Sequence, residues 1–167
     1  MILNEAVLGI DVGTSSVKVI AVNKEGEVLA KVSEELDIIQ LQSGYNEQQP
    51  DEWFEATKSC IRQILSNDSL NDIFIRGLSL SGQMHSLVAL DSDNKPIRNA
   101  ILWNDTRSTR QCATIEQHFG NYVSSNPVLE GFTLTKLLWI KDNEPNNWNK
   151  IATFLLPKDY VQFRLTG

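Results

Sequence analysis

Three short apolar runs separated by turn residues open the sequence. They span residues 6–10, 17–22 and 27–32, and the segments between them, 13–16 and 23–26, are rich in glycine, serine, threonine and asparagine. Runs of this length between turn residues are typical of β-strands, and short turns join strands that run antiparallel. The beginning of the chain therefore predicts a three-strand antiparallel meander.

The rest of the sequence alternates helical and strand patterns. Helices are predicted to begin near Pro50, after Arg107, at a Thr133 cap and at Pro157, and strands are predicted over 73–80, 87–90 and 151–156. The buried stripe expected on the first helix is Trp53, Cys60, Ile61, Ile64 and Leu65. The third helix is predicted to carry Leu134, Leu137, Leu138 and Ile140 on one side. A meander followed by this alternation indicates an α/β fold with a mixed β-sheet and flanking helices, in which ligands bind beyond strand ends.

Length and charge restrict the class of protein. The 167 residues, 41% of them apolar, suit one packed domain over 1–167. A net charge of −6 argues against a nucleic-acid partner. No apolar run is long enough for a membrane helix, and the start lacks the pattern of a secretory signal. Cys60 and Cys112 have no metal-binding spacing, so we expect reduced, buried thiols in a cytoplasmic protein.

The turn after the first predicted strand is a candidate phosphate site. Asp11 at a strand end is able to bind Mg²⁺ directly or through water. Gly13 allows close backbone approach, while the hydroxyls of Thr14 and Ser15 and the charge of Lys18 suit phosphate oxygens. The pattern is neither a Walker A loop nor G-x-G-x-x-G. The alternative is an ordinary hairpin with an exposed acid.

A second candidate segment, residues 79–86, begins at the end of the strand predicted over 73–80. Gln83 offers donor and acceptor groups, Met84 an adaptable apolar surface, and His85 two ring nitrogens. This mixture suits a polyhydroxylated ligand. The alternative for His85 is a purely structural hydrogen bond.

A third cluster follows the apolar pair Ile101 and Leu102. Trp103 is able to pack against the C–H face of a sugar, and Asn104, Asp105 and Arg107 are able to bond its hydroxyls. The alternative is a helix start in which Asp105 caps, Arg107 pairs with it and Trp103 fills the core.

Read together, these motifs resemble a known superfamily. The D-x-G-T turn resembles the first phosphate motif of the sugar-kinase, Hsp70 and actin superfamily, which implies a ribonuclease-H-like ATPase domain. Nearly the whole chain resembles the FGGY carbohydrate kinases, and among them the xylulokinases most closely. The matching segments are 9–15, 81–85, 101–105, 131–133, 136–139, 144–145, 155–160 and 164–167.

The resemblance implies ATP and Mg²⁺ as cofactors and a role for each motif. The residues implied at the Mg-ATP site are Asp11, as metal ligand, with Gly13, Thr14, Ser15 and Lys18. Met84 and His85 would contact the ketose, and Gln83 and Trp103 would shape its pocket. Asn104, Asp105 and Arg107 would be their neighbours.

The family is also about three times as long as this chain. The resemblance therefore implies an amino-terminal domain truncated at its carboxyl end, with the nucleotide-side domain and the catalytic aspartate beyond Gly167. We expect the whole protein to phosphorylate D-xylulose to xylulose 5-phosphate and this fragment to be inactive alone. Alternatives are a kinase for gluconate, ribulose or glycerol, a non-catalytic sugar-binding or actin-like interaction domain, and a ribonuclease-H-like nuclease. An apolar surface exposed by truncation would favour self-association, such as a homodimer.

Overall fold

The computed structural model describes residues 4–120, 122–123 and 126–167. The strands there are β1 (Asn4–Val12), β2 (Ser16–Asn23), β3 (Val28–Glu35), β4 (Ile39–Gln42), β5 (Tyr45–Gln48), β6 (Ile73–Gly82), β7 (Val88–Leu90), β8 (Ala100–Ile101), β9 (Tyr122–Val123), β10 (Asn126–Pro127) and β11 (Thr153–Leu155). The α-helices are α1 (Pro50–Leu65), α2 (Thr109–Phe119), α3 (Thr133–Asn143), α4 (Pro145–Trp148) and α5 (Pro157–Thr166), and a 3₁₀ helix spans Asp68–Leu70.

The described chain divides into two compact units. The first unit contains residues up to 37, 51–83 and 158–167, and the second contains 38–50 and 84–157. The division into compact units does not test whether residues 1–167 form one domain, and that stays a prediction.

The first unit is built on a four-stranded sheet in the order β3-β2-β1-β6. Strands β1, β2 and β3 pair antiparallel in succession, which confirms the predicted meander. Strand β6 joins β1 in parallel, so the sheet is mixed, as expected. Side chains alternate along these strands, and one face buries residues that include Leu8, Ile10, Val12, Val17 and Val19.

Helix α1 adds buried side chains to the first unit's core. Trp53, Cys60 and Ile64 are fully buried, as the predicted stripe requires. Leu65 was wrongly included in that stripe, because it is 55% exposed. At about 100° of rotation per residue, Leu65 points well away from Ile64 and Trp53.

Strand β6 differs from its prediction in burial. Its sequence predicted a core strand, but no residue of Ile73–Gly82 is fully buried, and Phe74 and Leu78 are about half exposed. Among the described strands β6 pairs only with β1 and forms an edge of the sheet. An edge position leaves part of its apolar surface uncovered.

The second unit combines small sheets with helices. Strands pair in the orders β4-β5-β8 and β11-β7, and Leu87, Ile101 and Ile140 form the centre of its core. The hairpin of β4 and β5 was not predicted. It turns at Gly44, whose φ of +80° lies in the region that favours glycine.

Helix α3 corrects two predictions. Its buried residues are Thr135, Lys136 and Ile140. Of the predicted apolar side only Ile140 is fully buried, Leu137 is partly buried against the core, and Leu134 was wrongly included because it is 45% exposed. Thr133 does not cap the helix, since its hydroxyl donates to the carbonyl oxygen of His85 at 3.1 Å. Hydrogen bonds of polar residues inside the second unit, and not the apolar pattern alone, thus decide which side of this helix is buried.

The two cysteines match their prediction in burial. Cys60 and Cys112 are buried free thiols, as predicted. Burial raises the pKa of both thiols, and nearby glutamates raise it further. None of the helices described has the length and apolar character that crossing a membrane requires.

Candidate functional site

The D-x-G-T turn lies where β1 and β2 meet. Ile10 and Val12 point into the core, so alternation places the exposed Asp11 side chain on the opposite face of the sheet. Asp11 is paired in register with Lys18 on β2 and with Ser81 on β6. A carboxylate, an amine and a hydroxyl are thus adjacent on neighbouring strands.

Position 13 needs a glycine because a side chain would have no room there, and not because the φ angle is unusual. Its amide donates to the carbonyl oxygen of Ser16 at 3.0 Å and closes the turn. A Cβ at Gly13 would lie 2.9 Å from that same oxygen. The exposed Ser15 belongs to this tight turn, and its carbonyl oxygen accepts from the amide of Leu36 at 3.0 Å.

Gln83 lies against the D-x-G-T turn, residues 11–14, which is the candidate phosphate turn. Its backbone amide donates to the carbonyl oxygen of Val12, and its side-chain amide donates to that of Gly13 at 3.2 Å. The hydroxyl of Thr14 donates to its Oε1 at 3.4 Å. The structure brings Gln83 and the turn together within the first unit, and its predicted sugar role stays a prediction. Parallel pairing of β1 with β6, which no local pattern indicates, produces this placement.

Met84 and His85 belong to the second unit. Met84 is 62% exposed, and His85 is half-buried with a φ of +67°, uncommon for a residue with a side chain. The imidazole packs edge-on against Phe132, with ring centroids 4.0 Å apart. The backbone carbonyl oxygen of His85 accepts hydrogen bonds from the hydroxyl of Thr133 and from Lys136 Nζ, the latter at 3.4 Å.

The environment of His85 favours a neutral imidazole. Burial lowers the pKa of His85, and the charge of Lys136 lowers it further. A neutral ring has one nitrogen that donates and one that accepts. His85 therefore matches a hydroxyl group, which is itself both donor and acceptor.

Trp103 and Asn104 form a second turn in the same unit. The amide of Trp103 donates to the hydroxyl of the buried Ser86 at 2.9 Å, which fastens this turn to the His85 turn. The indole is 49% exposed, so the alternative in which Trp103 fills the core is wrong. Asn46 donates to the carbonyl oxygen of Asn104 at 3.0 Å. Within the described residues, the buried Asn104 Oδ1 has no hydrogen-bond donor.

Asp105 and Arg107 lie inside the second unit. Their side chains are 0% and 1% exposed and pair at 2.8 Å, as the alternative interpretation of mutual pairing requires. Arg107 also pairs with Glu47 at 2.8 Å, and the backbone amide of Asn46 donates to Asp105 at 2.7 Å. These two residues support the Trp103 turn from inside, and their direct contact with a ligand stays a prediction.

Aromatic rings and further charges surround this buried pair. The guanidinium of Arg107 lies over Tyr45 at 4.1 Å and over Trp139 at 4.9 Å, and Arg98 joins Glu47 to Glu144. Burial opposes the charge of Arg107, but its hydrogen bonds and ion pairs with Asp105 and Glu47 raise its pKa. Removing one member of such a cluster typically costs about 3–5 kcal/mol, because the other charge stays buried.

The carboxylate of Asp11 is the candidate metal ligand of this turn. No group of three or more histidine, cysteine, aspartate or glutamate side chains there could hold a metal ion. Mg²⁺ commonly binds through one or two carboxylates together with phosphate oxygens and water. A carboxylate beside a tight turn therefore fits an ion that arrives with a nucleotide, and the role of Asp11 as metal ligand stays a prediction.

Comparison with known proteins places this geometry in a family. Residues 6–167 match the N-terminal domain of the FGGY family of carbohydrate kinases. The chain is 50% identical over 164 residues to a xylulose kinase of Staphylococcus epidermidis, covering 98% of this chain and 33% of that protein. It is 50% identical over 164 residues to the xylulose kinase of Bacillus subtilis, with 96% and 33% covered.

Solved structures agree with the sequence relatives. The crystal structure of a "xyloylose kinase" from Brucella ovis superposes with a TM-score of 0.89 at 35% identity, over 94% of this chain and 33% of that one. The chain thus spans about a third of the length of the relatives it matches, and its fold is the ATPase fold shared by sugar kinases, actin and Hsp70. The chain belongs to the FGGY family of carbohydrate kinases, as an amino-terminal portion.

Proposed function

We propose that the whole protein is an ATP-dependent kinase that phosphorylates a hydroxyl of D-xylulose and yields xylulose 5-phosphate. One observation carries the proposal. The Met84–His85 turn and the Trp103 turn are joined through Ser86 and present a thioether, a neutral imidazole and an indole on one unit. The relatives named xylulose kinase, at 50% identity, support the choice of sugar.

Each group of this surface suits a part of a ketose. The indole of Trp103 and the thioether of Met84 would cover C–H faces, since both are large, exposed and apolar. His85 would exchange a hydrogen bond with a hydroxyl, and Asn104 would stand beside it. Asp105 and Arg107 would keep the Trp103 turn in place from inside.

The phosphate turn would serve the nucleotide. Asp11 would hold the Mg²⁺ of Mg-ATP, directly or through water, and Lys18 would add a positive charge on the adjacent strand. Backbone amides near Gly13, with the hydroxyls of Thr14 and Ser15, would donate to phosphate oxygens. The metal, when bound, supplies charge neutralisation for the phosphates.

Two variants test the sugar site and the nucleotide site of the proposal separately. Both are made in the protein extended by its own downstream coding sequence. We expect His85→Ala to raise the KM for D-xylulose about tenfold with little change in the KM for ATP, because a sugar contact is lost. We expect Asp11→Asn to lower kcat about 100-fold or more, because metal and phosphate are misplaced. Both are measured by coupled ADP release.

Controls make each outcome decisive. His118 is an exposed histidine of α2, so His118→Ala should leave both KM values unchanged. Equal xylulose kinetics for His85→Ala and the unsubstituted protein would remove His85 from the sugar site. A panel with gluconate, ribulose and glycerol tests the sugar itself, and preference for one of these would replace xylulose in the proposal.

A further inference from the structure

Lys136 on helix α3 is a buried amine surrounded by backbone oxygens. Its side chain is fully buried, and Nζ donates to the carbonyl oxygens of Glu130 and Phe132 at 3.3 Å, of His85 at 3.4 Å and of Gly131. Within the described residues it forms no ion pair to a carboxylate at 4.0 Å or less. A charged lysine is seldom buried without an ionic partner, because desolvation is costly. The carbonyl cradle offsets that cost.

The carbonyls in the cradle belong to two turns near the proposed sugar surface. One is the turn of His85, whose φ of +67° is uncommon for a residue with a side chain. The other is the turn at Gly131, where a Cβ would lie 2.6 Å from the carbonyl oxygen of Trp103. One amine therefore joins the turn that carries His85 to the turn that abuts Trp103.

Helix α3 supplies a second donor to the same point. The hydroxyl of Thr133 donates to the His85 carbonyl oxygen at 3.1 Å, beside Lys136. Phe132, whose carbonyl also accepts from Lys136, packs its ring against the imidazole. Backbone and ring of His85 are thus both fixed by residues 132–136.

We propose that Lys136 is a positioning residue for the His85 turn. Its hydrogen bonds to the surrounding carbonyl oxygens, that of His85 among them, fix His85 in the left-handed conformation that presents the imidazole to the sugar. The inference rests on the proposed function, because His85 matters to a sugar only if the sugar binds there. Lys136 itself touches no ligand in this account.

Electrostatics agree with the geometry. Burial lowers the pKa of Lys136 to about 8, while Asp105 and Cys112 oppose that shift and Arg107 adds to it. The amine therefore still carries its charge and three donors at pH 7. That charge also helps to keep His85 neutral.

The experiment compares Lys136→Met with Lys141→Met in the 167-residue chain by NMR. Lys141 is an exposed lysine of the same helix, so its removal changes the net charge equally. The chain has two histidines, and His118 serves as internal reference. In Lys136→Met we expect the His85 backbone signals to shift and its imidazole to titrate at higher pH, with His118 unchanged and with neither change in Lys141→Met. Titration with D-xylulose should show about tenfold weaker binding for Lys136→Met alone.

Two outcomes would overturn the inference separately from the proposed function. Unchanged His85 backbone signals and titration in Lys136→Met would show that the amine does not position this turn. If that variant fails to fold, Thr133→Val tests the second donor to the same carbonyl, and unchanged His85 signals there count against the inference equally. A wild-type chain whose His85 signals do not respond to saturating D-xylulose would instead overturn the proposed sugar site, whatever Lys136 does.

Discussion

The backbones of β1 and β6 pass so closely at Gly82 that a side chain has no room there. A Cβ at Gly82 would lie 2.6 Å from the carbonyl oxygen of Val12, and that oxygen belongs to backbone which cannot move aside cheaply. The same carbonyl accepts the amide of Gln83 at 2.9 Å. The glycine therefore keeps β6 close to the phosphate turn.

We predict that Gly82→Ala lowers the free energy of unfolding by about 1–3 kcal/mol, as overpacking typically does. Gly77→Ala is the matched control, since Gly77 lies on the same strand and has no atom within 4 Å of the added Cβ. Urea unfolding followed by circular dichroism measures both. Equal stability of the two variants would show that the backbones separate without cost.

Residue chemistry was predictable from the sequence, but residue partners were not. The clusters around Asp11, His85 and Trp103 were identified by the types of their side chains. The burial of Arg107 depends on Glu47, which lies 60 positions away in the sequence and carries no local signal. The burial of Lys136 among backbone carbonyls was missed for the same reason, although a lysine inside an apolar helical pattern was a visible anomaly.

At the scale of elements, helix α5 is fastened to α1 by a small polar cluster. The phenol of the fully buried Tyr160 donates to Asp51 at 2.7 Å, and Arg164 pairs with Asp51 while its guanidinium lies 4.3 Å over Phe54. Desolvation is the largest cause and the hydrogen bond to Asp51 the next, and they raise the pKa of Tyr160 to about 12. The protonated phenol is therefore favoured in the folded chain.

This shift predicts a pH dependence with a definite sign. The folded pKa lies above the ordinary value of 10, so the stabilisation is complete below pH 10 and is lost as pH rises toward 12. Tyr160→Phe should cost about 1 kcal/mol at pH 8, and this difference from the unsubstituted chain should shrink between pH 10 and 11.5. Urea unfolding across this range, with Tyr45→Phe from the second unit as control, checks it. A constant difference would contradict the assignment.

Elements with local signals were predicted and those set by distant contacts were not. The meander of β1, β2 and β3 follows from turns within a few residues of each strand. The β4-β5 hairpin carries mostly polar side chains, and β5 is completed by pairing with β8 far along the chain. Its one local signal was the Ser43-Gly44 turn. Likewise, only the sheet order explains why β6, with a core-like sequence, is partly exposed.

For the molecule as a whole, the proposed chemistry is distributed over the two units. The first contains the phosphate turn with Gln83, and the second contains Met84, His85 and Trp103. The segment Ser81–His85 therefore contributes to both, although it reads as one motif in the sequence. Under the proposed function the nucleotide residues and the sugar residues therefore belong to different units, and phosphoryl transfer requires both sets.

We predict that the 167-residue chain alone shows no D-xylulose-dependent ADP release, whereas the protein extended by its downstream coding sequence does. The chain spans about a third of the length of its relatives, and phosphoryl transfer requires that both reactants be positioned and their charge stabilised. Coupled ADP release at equal molar concentrations, with the extended Asp11→Asn variant as a control for contaminating ATPases, measures the difference. Sugar-dependent turnover by the short chain, abolished by Asp11→Asn in that same chain, would show that residues 1–167 already contain a complete catalytic site.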